Sequence, residues 1–311
     1  MKRTFLILIL GFVVAMGAGM WLFSRHLRTL PTPVLIKEGP LMPYTIENLH
    51  ETTFEGSTIV IDKELEKGPG FVSFSFHYQV PSKPEQKPTK KVSGMLTLPD
   101  KPGTYPIMVL FRGYVPVENY RTGVGTRKAA QAYAKNGFIA ISPDFLGYGE
   151  SEPPSENTIE ARMQTYTSAL TLLSSLSSLQ ETLAPYKQKP DLVHIGLWGH
   201  SNGGQIALTV LAVTQKAYPT VLWAPVTKPF PYSILYYTDD SDDEGRALRK
   251  VLAGFEQEHD ARLFSWSQYY TDISAPIQLH QGTDDTAVPE KWSVDFVERM
   301  KEAKKDIIYF S

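Results

Sequence analysis

Cysteine is absent from the 311-residue sequence. The chain therefore has no disulfide, no thiolate metal site and no cysteine nucleophile. It also lacks a charge excess of either sign, since 31 basic and 33 acidic residues leave a formal net charge of -2. Because such a balance gives no electrostatic attraction to a polyanion, no nucleic-acid partner is expected. The remaining composition, 42% hydrophobic and 21% charged, is typical of a globular protein.

Recognisable cofactor motifs are missing as well. The sequence has neither a phosphate-binding P-loop nor a dinucleotide fingerprint. The acidic run Asp239–Glu244 lacks the glycine-bearing spacing of an EF-hand loop, which favours a solvated acidic loop. We therefore expect no cofactor and no metal.

Residues 1–24 form the first segment of the chain. Lys2 and Arg3 precede an uncharged apolar run over residues 4–23, which is long enough to cross a bilayer as a helix. The run continues past the one small-x-small site, Ala15–Gly17, so an uncleaved anchor is favoured over a cleaved signal peptide. The basic N-terminus favours a cytoplasmic start, although two arginines after the span weaken the bias. A membrane-anchored, extracytoplasmic body is the expectation.

Proline-rich residues 25–43 predict a linker, and residues 44–311 predict one α/β domain. Its first part, residues 44–98, is rich in β-branched and aromatic residues with alternating polarity, which predicts antiparallel strands at one edge of the sheet.

From Tyr105 onward, strand and helix patterns alternate, which predicts a mostly parallel central sheet with helices on both faces. One long helix is predicted over Glu156–Leu179. Residues 226–274 interrupt the alternation and predict a cap inserted over the site. Seven aromatic residues of this cap are expected to form its core more than to line substrate: Phe230, Tyr232, Tyr236, Tyr237, Trp266, Tyr269 and Tyr270.

A strand–turn–helix pattern is centred on Ser201. The apolar run before Gly199 and the apolar run after Gly204 flank a Gly-x-Ser-x-Gly sequence, which is the pattern of a nucleophile elbow. Side chains at Gly199 and Gly203 would block the close packing of helix on strand. Asn202 begins the helix, so its backbone N–H is a candidate oxyanion donor.

A serine nucleophile needs a base and an acid that orients the base. Asp284 and Asp285 directly follow a predicted strand, and either carboxylate could serve as the acid. The turn Arg112-Gly113-Tyr114 follows another strand, where a second oxyanion donor is expected, and the Tyr114 N–H is the candidate.

These motifs resemble the α/β-hydrolase superfamily and, within it, the prolyl-oligopeptidase-like serine hydrolases. The elbow Gly199–Gly204, the loop Ser142–Ser151 and the acid loop His280–Pro289 carry the resemblance, which covers roughly residues 90–311. It implies the α/β-hydrolase fold with a β-rich N-terminal extension and a cap. It also selects Asp285 over Asp284, because the family's acid lies three residues before a valine.

The sequence departs from that family at two places. Arg112-Gly113 stands where the family usually has His-Gly. The family's histidine, in a loop after the last strand, has no counterpart, because the histidines all precede Asp285: His26, His50, His77, His194, His200, His259 and His280. His200 is expected to pack locally, since the elbow turns it away from the hydroxyl. We expect an incomplete C-terminus with the histidine beyond residue 311, and an impaired enzyme without it.

The resulting prediction is a serine hydrolase that cleaves a small-molecule ester or a peptide through an acyl-enzyme on Ser201. A peptidase is slightly favoured, a carboxylesterase is the alternative, and a non-catalytic binding protein with the same fold is the competing class.

Overall fold

One twisted sheet organises the part of the chain that the structure, a computed structural model, describes: residues 39–238 and 243–311. Within these residues the strands lie in the order β1-β2-β3-β5-β4-β6-β7-β8-β9. Their bounds are β1 Val60–Gly68, β2 Phe71–Pro81, β3 Pro88–Pro99, β4 Gly103–Phe111, β5 Ile139–Pro143, β6 Gln188–His200, β7 Thr220–Trp223, β8 Ile277–His280 and β9 Ile307–Phe310.

The sheet is antiparallel at one edge and parallel elsewhere. Strands β1, β2 and β3 pair antiparallel, and β3 joins β5 antiparallel. From β5 through β4, β6, β7 and β8 to β9 every pairing is parallel. The predicted mostly parallel sheet is confirmed, and the β-rich N-terminal part forms its antiparallel edge.

The helices of the described residues connect and cover these strands. Their bounds are α1 Ile46–Glu51, α2 Arg127–Lys135, α3 Thr158–Ser175, α4 Leu179–Thr182, α5 Asn202–Thr214, α6 Tyr232–Leu235, α7 Arg246–Glu258 and α8 Glu290–Glu302. Short 3-10 helices occur at Met42–Tyr44, Val117–Asn119, Leu176–Ser178, Ala261–Phe264, Trp266–Gln268 and Tyr270–Asp272.

Both faces of the sheet are buried. The alternating direction of the side chains along β4 shows how one strand contributes to both. Val109 and Phe111 lie in the large core that includes residues of α3 and α5, whereas Met108 and Leu110 lie in a second cluster with Ala130 of α2. Successive side chains of a strand point to opposite faces, so one strand serves both cores.

The predicted long helix is interrupted near its end. After α3 ends at Ser175, the chain tightens into the 3-10 turn Leu176–Ser178 before α4 begins. The hydroxyls of Ser175 and Ser178 accept hydrogen bonds of 2.9 Å from the backbone N–H groups of Ser57 and Ile59. These two serines therefore hold the chain that leads into β1, which starts at Val60.

The packed body begins before the predicted boundary at residue 44. Leu41 is buried in the core beside Tyr44, and a 3-10 helix spans Met42–Tyr44. A proline at the start of a helical turn is tolerated because the first N–H groups have no helical acceptor. Pro43 therefore lies within this turn, although residues 25–43 were predicted to be a linker.

Residues 226–274 lie between β7 and β8, where a cap was predicted, and their described part carries α6, α7 and the 3-10 helices Ala261–Phe264, Trp266–Gln268 and Tyr270–Asp272. Its aromatic residues differ in exposure, and Tyr237, Tyr269 and Tyr270 are half-buried. Phe230 and Trp266 are buried, as expected for cap core, whereas Tyr232 and Tyr236 are 58% and 48% exposed. Most of the acidic run, Asp239–Asp242, lies outside the described residues.

The predicted membrane segment, residues 4–23, also lies outside the described residues. Within residues 39–238 and 243–311, no helix has the length and apolar character that a membrane crossing requires.

Candidate active site

Ser201 occupies the tip of a sharp turn between β6 and α5. Its backbone angles are φ 52° and ψ -120°, a region that side-chain-bearing residues rarely adopt. Such a conformation persists only where the surroundings enforce it, and it is often found at functional sites. The turn lies at the carboxyl end of a central strand, as the nucleophile-elbow prediction requires.

The glycines around Ser201 are sites of close backbone contact. A Cβ atom on Gly199 would lie 2.6 Å from the carbonyl oxygen of Gly203. A Cβ atom on Gly203 would overlap the carbonyl oxygen of Phe111, and one on Gly204 would overlap the ring of Pro225. Helix α5 therefore rests directly on the ends of β4 and β6, and larger residues at these positions would force it away.

Backbone hydrogen bonds hold the turn to the neighbouring strand and the cap. The Ser201 N–H donates to the carbonyl oxygen of Trp223 at 3.1 Å, and the Ser201 carbonyl accepts from the Val226 N–H at 2.9 Å. These bonds fix Ser201 against the end of β7 and the first residue of the cap.

Gly113 lies against the nucleophile. A Cβ atom there would be 3.0 Å from Cβ of Ser201 and 3.2 Å from Nδ1 of His200. Tyr114 follows at the same place, and its side chain is 74% exposed, so any role near the serine falls to its backbone. Asn202 is the first residue of α5, and its N–H has no acceptor within the helix. Both predicted oxyanion donors are therefore on segments that adjoin Ser201.

The side chain of Arg112 supports the loop that contains Gly113 and Tyr114. The sequence did not reveal this role. Its side chain is buried, with Nη1 donating to the carbonyl oxygen of Gly113 at 2.9 Å and Nη2 donating to that of Asp144 at 3.0 Å. The guanidinium also lies 3.9 Å from the ring centroid of Tyr148 and 4.6 Å from that of Tyr120. Such stacking suits a planar cation. The sequence signal that could have pointed to this role was the presence of Arg112-Gly113 where the resembled family usually has His-Gly.

The buried carboxylate of Asp144 connects three segments near Arg112. It accepts hydrogen bonds from Ser93 Oγ and Tyr120 Oη, both at 2.6 Å, and from Thr122 Oγ1 at 2.8 Å. Burial, with Asp144 close by, raises the pKa of Tyr120 well above its usual value of 10.0. Tyr120 therefore stays protonated and keeps donating to Asp144. This network fixes the loop that carries Arg112 to β3 and β5.

Asp285 is held in a loop after β8 at the same rim of the sheet as Ser201. Its Oδ1 accepts from the N–H groups of Ala287 at 2.9 Å and Val288 at 2.8 Å, and its Oδ2 accepts from Gln281 Nε2 at 3.4 Å. Asp284 is exposed, whereas Asp285 is half-buried. The carboxyl ends of β6 and β8 are adjacent to β7 on either side, since Trp223 pairs with both His200 and His280.

The cap contacts the acid loop through Tyr237. Its hydroxyl donates to the carbonyl oxygen of Ala287 at 2.9 Å. Burial raises the pKa of Tyr237 to about 12, and Tyr236 and Asp285 add to the shift. The phenol therefore remains protonated at neutral pH and can keep this bond. Tyr237 belongs partly to the site and partly to the cap core that the sequence predicted.

His200 is next to the nucleophile but packs locally. Its ring stacks against Trp198 with 6.1 Å between centroids. Burial lowers the pKa of His200 from 6.5, and Asp285 opposes the shift. The imidazole is therefore neutral at neutral pH.

The other described histidines have partners elsewhere: His50 with the Val213 carbonyl, His77 with Asp62, His194 with Asp191, His259 between Phe255 and Phe264, and His280 between Trp223 and Phe310. No histidine of the described residues hydrogen-bonds to Ser201 or to Asp285. His26 lies outside those residues. The structure thus places the predicted nucleophile, the predicted acid and the two predicted backbone donors at one rim, with no described histidine bonded to Ser201 or Asp285.

A cleft of about 260 Å³ opens beside Tyr114 and Asn202. It lies on the β4–β5 side of Ser201, opposite the side that carries Asp285. Its wall is formed by Arg112, Tyr114, Phe145, Leu146, Tyr148, Pro154, Ala161, Arg162, Thr165, Tyr166, Asn202 and Ile206.

No candidate metal centre, in the form of three or more clustered His, Asp or Glu side chains, occurs among the residues that the structure describes.

Comparisons with known proteins show what this chain is similar to. The family model described as Chlorophyllase matches residues 70–222, just under half of the chain. No curated protein gives a significant match.

Solved structures match over most of the chain. An acetyl xylan esterase from a Paenibacillus species has 14% identity and a TM-score of 0.56, with 90% of each chain covered. Acetyl xylan esterase 1 from a Thermoanaerobacterium species has 15% identity and a TM-score of 0.58, covering 90% of this chain and 88% of that one. The rice cell wall degrading esterase LipA from Xanthomonas oryzae has 13% identity and a TM-score of 0.55, covering 83% and 91%.

The sheet order, the turn at Ser201 and these similarities together define the α/β-hydrolase fold, as the sequence predicted. At such low identities the similarity of the structures establishes the fold and not the substrate. The finer resemblance to prolyl-oligopeptidase-like hydrolases stays a prediction.

Proposed function

We propose that this protein is a serine hydrolase that cleaves carboxylic esters through an acyl-enzyme on Ser201. The observation that carries the proposal is the strained turn at Ser201, which lies in contact with Gly113 and at the same rim as Asp285. Strain at a residue with a nucleophilic hydroxyl, next to the first N–H group of a helix, is the arrangement that acyl transfer needs.

The chemistry follows from these positions. Oγ of Ser201 attacks the ester carbonyl carbon while a histidine outside the described residues takes its proton. The N–H groups of Asn202 and Tyr114 stabilise the negative charge that develops on the carbonyl oxygen. The intermediate collapses, the C–O bond breaks, and the alcohol leaves with the proton from the histidine. Water then attacks the acyl-enzyme, releasing the acid and restoring Ser201.

Asp285 is the group proposed to orient that histidine. Its Oδ1 is occupied by two backbone N–H groups, whereas Oδ2 has one long bond, at 3.4 Å, and can accept another. Strand β9 pairs with β8, with Phe310 opposite His280, so the carboxyl end of β9 lies beside the acid loop. A histidine carried near this end of the sheet would reach Asp285.

Ester cleavage is favoured over the peptide cleavage that the sequence slightly favoured. The similar structures named above are described as esterases, and this similarity favours ester hydrolysis over peptide hydrolysis. The prediction of a peptidase has no support beyond the resemblance of the motifs.

The test is labelling of the protein by a fluorophosphonate probe. The wild type is expected to be labelled, and Ser201→Ala is expected to abolish labelling. 4-Nitrophenyl acetate and 4-nitroacetanilide, which share the acyl group, then compare ester with amide hydrolysis. A wild type that is folded yet unlabelled would contradict the proposal. Cleavage of the anilide at a rate similar to the ester would restore the peptidase alternative.

A non-catalytic binding protein is the second candidate. It is favoured by one observation, the absence of a hydrogen bond from any described histidine to Ser201 or Asp285. Labelling separates the two candidates, since only a catalytic site activates the serine.

The sequence supplies a further proposal on location. We propose that residues 4–23 anchor the hydrolase body on the outer side of the membrane. Membrane fractions washed with alkaline carbonate should retain the protein, and release into the wash would exclude an integral anchor.

A further inference from the structure

Arg162 is a cation at the wall of the cleft beside Ser201. It lies on α3, and its Nη2 donates a hydrogen bond of 3.2 Å to the side-chain oxygen of Asn202, the residue that follows the nucleophile. Its Nε is buried and has no hydrogen-bond partner. Tyr166 is a second neighbour of the guanidinium, since burial raises the pKa of that phenol and Arg162 opposes the rise, and the other guanidinium donors belong to the lining of the cleft.

Neutralisation by a carboxylate is also lacking at Arg162. None of the ion pairs within the described residues includes it. The nearest acid along α3, Glu160, bonds instead to Tyr44 at 3.1 Å and Ser155 at 2.6 Å. A partly enclosed cation without a counter-charge is unfavourable in the empty site and attracts an anion.

The other residues of the cleft add to the positive electrostatic potential around Arg162. Its lining includes two arginines and neither aspartate nor glutamate. Arg112 has a compensating charge close by, because it bonds to the main chain of Asp144, whose buried carboxylate lies in the same network. Arg162 is thus the arginine of this cleft with no such compensation.

The position of the cleft indicates which part of an ester it holds. A leaving alcohol must receive its proton from the base, which the acid orients, so the alcohol faces the β8 side of Ser201. The acyl part then extends to the opposite side, over Asn202 and Tyr114, where the cleft opens. The cavity of about 260 Å³ is slightly below the usual size of ligand pockets, about 300–1,000 Å³, which suits a short acyl chain.

We infer that the cleft binds the acyl part of the substrate and that Arg162 recognises a carboxylate at the end of that acyl chain. The substrate class is then the monoesters of short dicarboxylic acids. An arginine fork binds a carboxylate through two parallel hydrogen bonds, which gives both affinity and orientation. The inference rests on the proposed function for its use in catalysis, and the binding itself does not need the chemistry.

The experiment separates binding from hydrolysis by using the Ser201→Ala background. Calorimetry measures the affinity of monomethyl glutarate, which carries the carboxylate, and of dimethyl glutarate, its neutral match. Monomethyl glutarate is expected to bind at least about tenfold more tightly, and Arg162→Gln is expected to remove this preference while leaving dimethyl glutarate unaffected. Equal affinities of the two compounds, or a preference that survives Arg162→Gln, would overturn the inference.

Two further variants make the result specific. Arg246→Gln removes an exposed cation of the cap and gives the same overall charge, so it should keep the preference. Arg162→Lys keeps the charge and loses the fork, and an intermediate affinity is expected. Thermal melting verifies that each variant is folded. If Arg162→Gln does not fold, the comparison of the two compounds on the Arg162 protein and on the lysine variant still decides.

The outcomes also separate this inference from the proposed function. An unlabelled Ser201 together with Arg162-dependent binding of the anion would reject hydrolysis and retain the anion site. A labelled Ser201 without any preference for the anion would retain the hydrolase and reject the anion site.

Discussion

Nη1 of Arg112 donates a hydrogen bond of 2.9 Å to the carbonyl oxygen of Gly113. The Gly113 carbonyl and the Tyr114 N–H belong to one planar peptide unit and point in opposite directions. The bond from Arg112 therefore also fixes the direction of the Tyr114 N–H. Since Gly113 lies against Ser201, the arginine positions a candidate oxyanion donor without contacting the substrate.

Arg112→Lys should lower kcat for ester hydrolysis by about 10-fold to 100-fold, with a smaller change in KM. The lysine loses the fork that bonds Gly113 and Asp144 together, so the Tyr114 N–H is less well aimed at the transition state. Loss of a whole oxyanion donor costs about 100-fold to 1,000-fold, and misplacement should cost less. Arg127→Lys is the control, because Arg127 is exposed and its side chain bonds to the Thr122 carbonyl rather than to Gly113 or Asp144. An unchanged kcat would show that Arg112 is only structural.

Gly203→Ala should prevent fluorophosphonate labelling and lower the melting temperature strongly. The added methyl group would overlap the carbonyl oxygen of Phe111, so α5 must move away from the sheet. Gly254→Ala is the matched control, because nothing lies within 4 Å of the added atom and the residue is exposed within α7. That change should leave labelling intact and stabilise the protein by up to about 1 kcal/mol through helix propensity. Equal effects of the two changes would refute this account of the turn.

Asp285→Asn should reduce kcat by about 1,000-fold or more in protein that carries the base, whereas Asp284→Asn should keep activity within about threefold of the wild type. The amide of asparagine cannot stabilise an imidazolium. The two aspartates are neighbours in sequence, yet Asp284 is exposed and Asp285 is held by the N–H groups of Ala287 and Val288. Steady-state hydrolysis of 4-nitrophenyl acetate gives the comparison. A larger loss at Asp284 would exchange their roles.

The partial burial of His200 should make stability depend on pH. Its folded-state pKa is lowered from 6.5 because the half-buried imidazole is poorly solvated when charged, an effect that the nearby Asp285 only partly offsets. The unfolded state therefore binds the proton more readily, and the contribution of His200 is complete above about pH 6.5 and lost as pH falls through the folded pKa. The melting temperature of the wild type should fall more between about pH 7 and pH 5 than that of His200→Gln. Parallel profiles would show that His200 does not contribute.

Local patterns predicted the parts of the fold and site that depend on local sequence. The turn at Ser201 needs glycines at fixed spacing, and the strands β2 and β3 are rich in the β-branched and aromatic residues that strands favour, so both were visible in the sequence. The family resemblance singled out Asp285. Arg112 was missed because its bonds reach Asp144, 32 positions away, and no local pattern encodes such a contact. The end of α3 was missed for a similar reason, since Ser175 and Ser178 bond to residues before β1.

The close approach of Gly203 to the carbonyl of Phe111 links the loop that carries Tyr114 to the start of the helix that carries Asn202. The end of β4 and the first turn of α5 are in direct backbone contact, so we expect a displacement of one to displace the other and the serine to keep its position relative to both N–H groups. Alterations in the cap or in the cleft wall can then change which esters enter, while the reacting atoms keep their alignment.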